Sequence, residues 1–226
     1  MNIFIGIEGH SFSGKTTLIN DLEKTGKVNV IKEHDIYAGG SNNFPNIKSQ
    51  SLKKVEEDVK FFLDLEIKRC KDAKEIFEKN GKPTIMDRTI ISVVLFQKYL
   101  FDNRKDWLNG YKMCLKAYQE AIDKGDIFIP SRIIHLESKD EKTFIKRSKR
   151  SVSIDFYKTV KAFRYMQDHY NYITENYFSK GSYINVKSKD VLKGRENVKK
   201  QTMDYAFQSD TYTGTDKLFT NFKINL

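Results

Sequence analysis

Gly9, Gly14, Lys15 and Thr16 stand at the spacing Gly-x-x-x-x-Gly-Lys-Ser/Thr within the segment EGHSFSGKTT. Those residue types at that spacing bind phosphate for a physical reason. The glycines let loop amides point inward, the lysine brings a charge to the β- and γ-phosphates, and the threonine hydroxyl can ligate Mg²⁺. Gly9, His10, Ser11, Phe12, Ser13, Gly14, Lys15, Thr16 and Thr17 are therefore the expected contacts of a nucleoside triphosphate, with Lys15 at an exposed loop–helix junction. Asp87 and Arg88 form a second group. An aspartate at a strand end can hold Mg²⁺ together with Thr16, and an arginine beside it can neutralise phosphate or orient an acceptor. The third group is the run KTFIKRSKR, which holds Lys146, Arg147, Lys149 and Arg150. A transferring phosphoryl group spreads negative charge over its oxygens, and guanidinium binds such oxygens in pairs. Arg147 and Arg150 are thus favoured over the lysines as catalytic residues. Glu33 or Asp35 could serve as a general base, which a hydroxyl acceptor needs and an ionised phosphate acceptor does not. Glu33 could equally cap the strand loop or pair with Arg88.

These groups need elements to bring them together. NIFIGIE reads as a strand running into the phosphate loop, and GKTTLINDLEKTG as a helix stopped by Gly26. Residues 28–33 read as a second strand, followed by a loop containing YAGGSNNFP. A long helix starts at a Ser51 cap, with Leu52, Val55, Val59, Phe62, Cys70, Ala73 and Phe77 at helical spacing. Residues 84–88 read as a buried strand, 89–101 as a helix apolar almost all round, and 106–123 as a further helix. Residues 132–138 and 182–186 give two more strands. Helices are expected over 153–178, with Tyr170 in its apolar stripe, and over 190–206. Alternating strands and helices imply a three-layer α/β fold with a five-stranded parallel sheet, whose sites lie beyond the carboxyl ends of the strands. One domain spans 1–226, with the basic stretch of about 140–153 over the site.

The segments IEGHSFSGKTT and NGKPTIMDRTIISVVLFQ together resemble the thymidylate kinases and, more distantly, the deoxynucleoside kinases. Asp87, Arg88, Ser92, Phe96 and Gln97 stand at the spacing the thymidylate kinases show. The resemblance implies a P-loop kinase fold with a helical lid formed by KRSKR, and ATP and Mg²⁺ as cofactors. It places Lys187, Ser188 and Lys189 beside the adenine. Phe62 falls where the family stacks an aromatic on the acceptor base, a position a core phenylalanine would also fit. Acceptor contacts are then Glu33, Asp35, Phe62, Arg88, Ser92 and Gln97, with Thr16 and Asp87 on the metal. The phosphate loop has no arginine, so the lid must supply the catalytic one. Three positions depart from the thymidylate kinase pattern. Ser11 replaces an acid, Glu33-His34-Asp35 replaces Glu-Pro, and Glu66 stands where an arginine grips the acceptor phosphate. Lys68 and Arg69 lie near it in sequence but on other expected helix faces. Deoxynucleoside kinases resemble this chain in having a glutamate at the end of the second strand. Thymidine monophosphate is the favoured acceptor, and a deoxynucleoside the alternative.

Composition narrows the remaining classes. The chain has 226 residues, 39% hydrophobic and 31% charged, with formal net charge +10. Lysines spread over most helices describe a solvated surface rather than a nucleic-acid face. No stretch is long enough to span a bilayer, no signal peptide is expected ahead of the first strand, and Cys70 and Cys114 sit in apolar patterns without metal-ligand spacing. A cytoplasmic protein follows as the expectation, and a homodimer stays open. A guanine-type switch would need an Asn-Lys-x-Asp reader, which is absent. Kinases of another small molecule or of a polynucleotide 5′ end remain competitors, as does a nucleotide-dependent regulatory protein.

Overall fold

The computed structural model describes residues 3–45, 51–103, 108–137, 141–149, 159–178, 182–187 and 195–208. Five strands, β1 (Phe4–Glu8), β2 (Asn29–Ile31), β3 (Thr84–Asp87), β4 (Arg132–Glu137) and β5 (Tyr183–Lys187), form one sheet in the order β2-β3-β1-β4-β5. All four pairings are parallel. The helices are α1 (Lys15–Glu23), α2 (His34–Tyr37), α3 (Leu52–Asn80), α4 (Ile90–Asn103), α5 (Leu108–Asp123), α6 (Glu141–Ser148), α7 (Val160–Tyr177) and α8 (Arg195–Ala206).

Parallel strands covered on both faces carry apolar side chains on both, and their period of two sorts those side chains between two cores. Phe4, Met86 and Ile133 face α3, α4, α5 and α7, where Cys70, Leu95, Cys114 and Tyr118 are buried. Ile5, Ile7, Ile85, Ile134 and Leu136 face α1 and α8, packing with Leu18, Ile19, Leu22, Val198 and Tyr205. The expected strand and helix alternation is present throughout the described residues. Ser51 caps α3 by accepting from Lys54 N at 3.2 Å, and Gly81 ends it at φ +67°. The α3 stripe is not wholly apolar: Leu52 is exposed, and the turn between Phe62 and Cys70 buries Glu66 and Arg69. The basic stretch folds as its own helix, α6, separate from α7. The part of the lid from residue 150 to 153, with Arg150, and the start expected for the following helix lie outside the described residues. Within the region read as a loop after β2, residues 34–37 form the single turn α2. Among the described residues, no helix is long and apolar enough to cross a membrane.

The carboxyl ends of β1, β2 and β3 meet at one edge, which carries the phosphate loop, Glu33 and Arg88. Close packing of the central strand sets that edge. A Cβ at Gly6 would lie 2.5 Å from Thr89 Cγ2 and 2.8 Å from Ile133 Cδ1. Gly6→Ala should therefore push α4 off β1 and cost about 1–3 kcal/mol, as overpacking does. Thermal denaturation checks this, and an unchanged midpoint would refute the close packing.

Candidate active site

The phosphate loop runs from β1 into α1. Gly9 has φ +139°, and a Cβ there would meet Leu136 O at 2.7 Å, so only glycine fits. Gly14 (φ 100°) and Phe12 (φ 70°) also take left-handed backbone, and Ser13 N donates to His10 O at 3.2 Å. Lys15 departs from expectation. It is buried, not exposed, because its ammonium folds into the loop and donates to Gly9 O and His10 O, both at 3.0 Å. Burial, with Arg88 nearby, pushes its pKa down to about 8 against the attraction of Glu33, Asp87 and Glu8. Thr16 is exposed at the start of α1. His10 is buried between Phe144 of α6 and Phe163 of α7, with ring centroids 4.8 and 5.2 Å away. Burial holds its pKa down at about 3, so it stays neutral.

Arg88 follows β3 with φ 61°, a conformation that costs a side-chain-bearing residue about 1–2 kcal/mol. That turn sends its guanidinium across the strand ends. Nε donates to Glu33 Oε1, NH1 to Gly9 O at 3.0 Å and Ser92 Oγ at 3.3 Å, and NH2 lies 3.4 Å from Ser11 Oγ. Of the roles open to Glu33, pairing with Arg88 is therefore present. Burial pushes the Glu33 pKa up, but the charges of Arg88 and Lys15 prevail and hold it below the usual carboxylate range. Asp35 faces its own turn instead, accepting from Ile36 N at 2.8 Å.

Arg69 corrects a second expectation. It lies on the site-facing side of α3, fully buried, and ties the strand ends together. Nε donates to Lys32 O at 3.0 Å, and NH2 to Asp87 O at 2.8 Å and Arg88 O at 2.7 Å. NH1 pairs with Glu66 Oε2, which also lies 2.9 Å from His34 Nε2. Arg69 NH1 also lies against the His34 ring, 3.0 Å from Nε2 and 3.3 Å from Nδ1. Burial opposes ionisation of Glu66, but Arg69 and His34 hold its pKa down at about 2. Glu66 and Arg69 could have been found in the sequence, because the apolar stripe skips one turn there.

Arg147 of α6 donates from NH1 to Phe12 O at 2.5 Å, while Lys146 and Lys149 are exposed. Phe62 is buried in an aromatic group with Phe44 and Phe61, at 5.3 and 5.4 Å, and its ring lies 6.4 Å from His34. Gln97 is buried on α4. Lys187 closes β5, but its side chain, like Ser188 and Lys189, lies outside the described residues. Sequence reasoning missed Glu8 and Tyr170. Both are buried, with polar atoms directed at Ser92. A carboxylate in a strand covered on both faces is itself a signal, since it must find donors. For a metal, Asp87 supplies a buried Oδ1 with no hydrogen-bond partner among the described residues. That atom and the exposed Thr16 hydroxyl are hard oxygen donors of the kind Mg²⁺ takes.

A parallel sheet whose central strand enters a phosphate loop, with an acid–arginine pair at the neighbouring strand ends, is the architecture of a P-loop phosphotransferase. The chain belongs to the deoxynucleoside kinase family, whose profile matches residues 5–209. Two solved structures of deoxyadenosine kinase from M. mycoides share the fold. The one with products dCMP and a flexible dCDP bound superimposes with TM-score 0.61 at 18% identity, over 89% of this chain and 99% of that one. The one with bound dCTP gives 0.63 at 16%, with the same coverage. No curated protein sequence matches the chain. The family match supports a P-loop nucleoside kinase rather than the thymidylate kinases in particular.

Arg69→Met should leave Glu66 buried without its cation. Removing one partner of a buried pair costs about 3–5 kcal/mol. Chemical denaturation would measure it, and a loss below about 1 kcal/mol would refute the role of Arg69 at the strand ends.

Proposed function

We propose that this single-domain chain transfers the γ-phosphoryl group of ATP to a hydroxyl of a deoxynucleoside. The observation that carries the reading is Glu33, an ionised carboxylate at the end of β2 held by Arg88. A hydroxyl acceptor must lose a proton, and Glu33 is placed to take it. A monophosphate would instead bring negative charge towards Glu33, and would find Glu66 where a phosphate-gripping arginine is expected. Glu66 is already committed to Arg69 and His34. Ser92, part of the spacing that favoured thymidine monophosphate, is likewise committed to Glu8 and Tyr170. The deoxyadenosine kinase of the solved structures supports a nucleoside acceptor at the level of fold.

In this mechanism the loop amides and Lys15 hold the β- and γ-phosphates. Thr16 and Asp87 would hold Mg²⁺, which would supply positive charge to offset that of the phosphates. The acceptor O–H proton passes to a Glu33 carboxylate oxygen as that hydroxyl oxygen bonds to the γ-phosphorus. The bond to the β–γ bridging oxygen breaks and ADP leaves. Arg88 keeps Glu33 oriented, and Arg147 faces the loop where charge develops. Phe62 borders the acceptor base, with Gln97 on the neighbouring helix.

ADP release should appear with thymidine, deoxyadenosine, deoxycytidine or deoxyguanosine, and be absent with thymidine monophosphate and a 5′-hydroxyl oligonucleotide. Turnover of the monophosphate alone would overturn the reading. Glu33→Gln should lower kcat by about 10²–10⁴-fold. The pH profile carries a sign. With its pKa depressed, Glu33 is ionised at neutral pH, so activity is lost only as pH falls through a value below the usual glutamate figure of about 4.3. The variant should lack that acidic limb.

Lys15 titrates in the opposite sense. It is charged below about 8 and loses its proton as pH rises through that value in the free protein. ATP affinity measured by calorimetry should therefore weaken above that pH, and Lys15→Met should bind weakly without the dependence. A flat profile in the unaltered chain would remove Lys15 from the phosphate site.

A further inference from the structure

Glu8 ends β1 fully buried, and three donors meet its carboxylate. Oε1 accepts from Thr89 N at 2.8 Å and Thr89 Oγ1 at 2.5 Å, and Oε2 accepts from Ser92 Oγ at 2.5 Å. Ser92 Oγ lies 2.7 Å from the Tyr170 hydroxyl, and Arg88 NH1 lies 3.3 Å from Ser92 Oγ and 3.5 Å from Tyr170 Oη. Where Glu8 is ionised it accepts and never donates, so the Ser92 hydrogen goes to Glu8. Tyr170 must then donate to Ser92, which leaves lone pairs on both hydroxyl oxygens facing a guanidinium that can only donate.

Tyr170 also belongs to the helix that packs beneath the lid. Phe144 of α6 stacks on Phe163 of α7 at 4.8 Å, and Glu141 pairs with Arg164. The Tyr170 ring lies 5.2 Å from the buried His135 ring of β4, which fixes it independently of its hydroxyl.

We propose that Glu8, Ser92 and Tyr170 are positioning residues for Arg88, and that Tyr170 carries the placement of α7 to the acceptor arginine. The inference rests on the phosphoryl-transfer reading of Arg88. Ser92 thereby acts through the arginine rather than by touching the acceptor. Without this support, Arg88 NH1 would keep only the Gly9 carbonyl and could swing with Glu33.

Tyr170→Phe keeps the packed ring and removes one hydroxyl. It should lower deoxynucleoside kcat/KM about tenfold, the scale of one lost hydrogen bond to a charged group. The KM for ATP should stay unchanged. In an Arg88→Lys background the same substitution should have no further effect, because the group it acts through is gone. Ser92→Ala should repeat the pattern and serves if Tyr170→Phe folds poorly. A merely structural tyrosine would give equal losses in both backgrounds, and that result, or no loss in the unaltered chain, overturns the proposal. A second readout needs no turnover. The Arg88 Nε–H resonance, assigned by its disappearance in Arg88→Lys, should exchange faster with solvent in Tyr170→Phe, and unchanged exchange overturns the proposal. Absence of turnover with every deoxynucleoside would defeat the transfer reading, while the exchange measurement would still decide the positioning.

Discussion

A guanidinium removed from water is costly unless its N–H groups find acceptors, and Arg69 is buried completely. Its acceptors are the carbonyls of Lys32, Asp87 and Arg88, with Glu66 and His34 behind them. Those carbonyls belong to the ends of two neighbouring strands, so meeting the needs of one side chain fixes the carboxyl edge of the sheet. It also fixes the backbone of Arg88. The carbonyl of that residue is turned in towards Arg69, φ takes its left-handed value, and the side chain leaves in the direction of Glu33 and Gly9 O. Strain of about 1–3 kcal/mol persists only where surrounding contacts over-determine it, as these do.

The same edge sorts its acids. Glu8, Glu33 and Asp87 all lose solvent, and burial alone would raise all three pKa values. It does so for Glu8 and Asp87. Glu33 goes the other way because Arg88 and Lys15 lie close enough to overcome desolvation. Neighbouring carboxyls whose environments push them apart take different tasks. Glu33 is kept ionised and fit to receive a proton. Asp87, with a buried oxygen that has no partner among the described residues and the Glu33 charge beside it, would gain from a nearby cation. Glu8, surrounded by donors from Thr89 and Ser92, holds packing in place.

Much of this was legible in sequence because it depends on local rules. The phosphate loop follows from glycines that tolerate positive φ, and the strands from continuous apolar runs. The Ser51 cap follows from a hydroxyl that can satisfy a free helix amide. What escaped depends on partners far apart in the chain. Lys15 looked exposed because loop lysines usually are, yet the loop closes over its ammonium with two carbonyls. Arg69 looked misplaced on the helix because the apolar stripe defined only one buried face. That face widens at Glu66, where an ion pair replaces a leucine-like contact. Tyr170 was read as core. Its ring is core, and only the tertiary fold shows that its hydroxyl reaches Ser92.

The Asp-Arg spacing explains why resemblance pointed first to a monophosphate acceptor. Arg88 makes the turn between β3 and α4, and Ser92 lies on the first turn of that helix, four residues after the arginine. The left-handed turn at Arg88 brings its NH1 within 3.3 Å of Ser92 Oγ, while Ser92 also reaches Glu8. The spacing thus belongs to the strand–helix junction that carries Arg88 and Ser92, and by itself it does not distinguish a phosphate acceptor from a hydroxyl. Discrimination has to come from a group outside the spacing. On the proposed reading that group is Glu33, which a hydroxyl can use as a base and which would repel a phosphate. Glu66 leaves no free cation at its position, because its charge is taken up by Arg69 and His34.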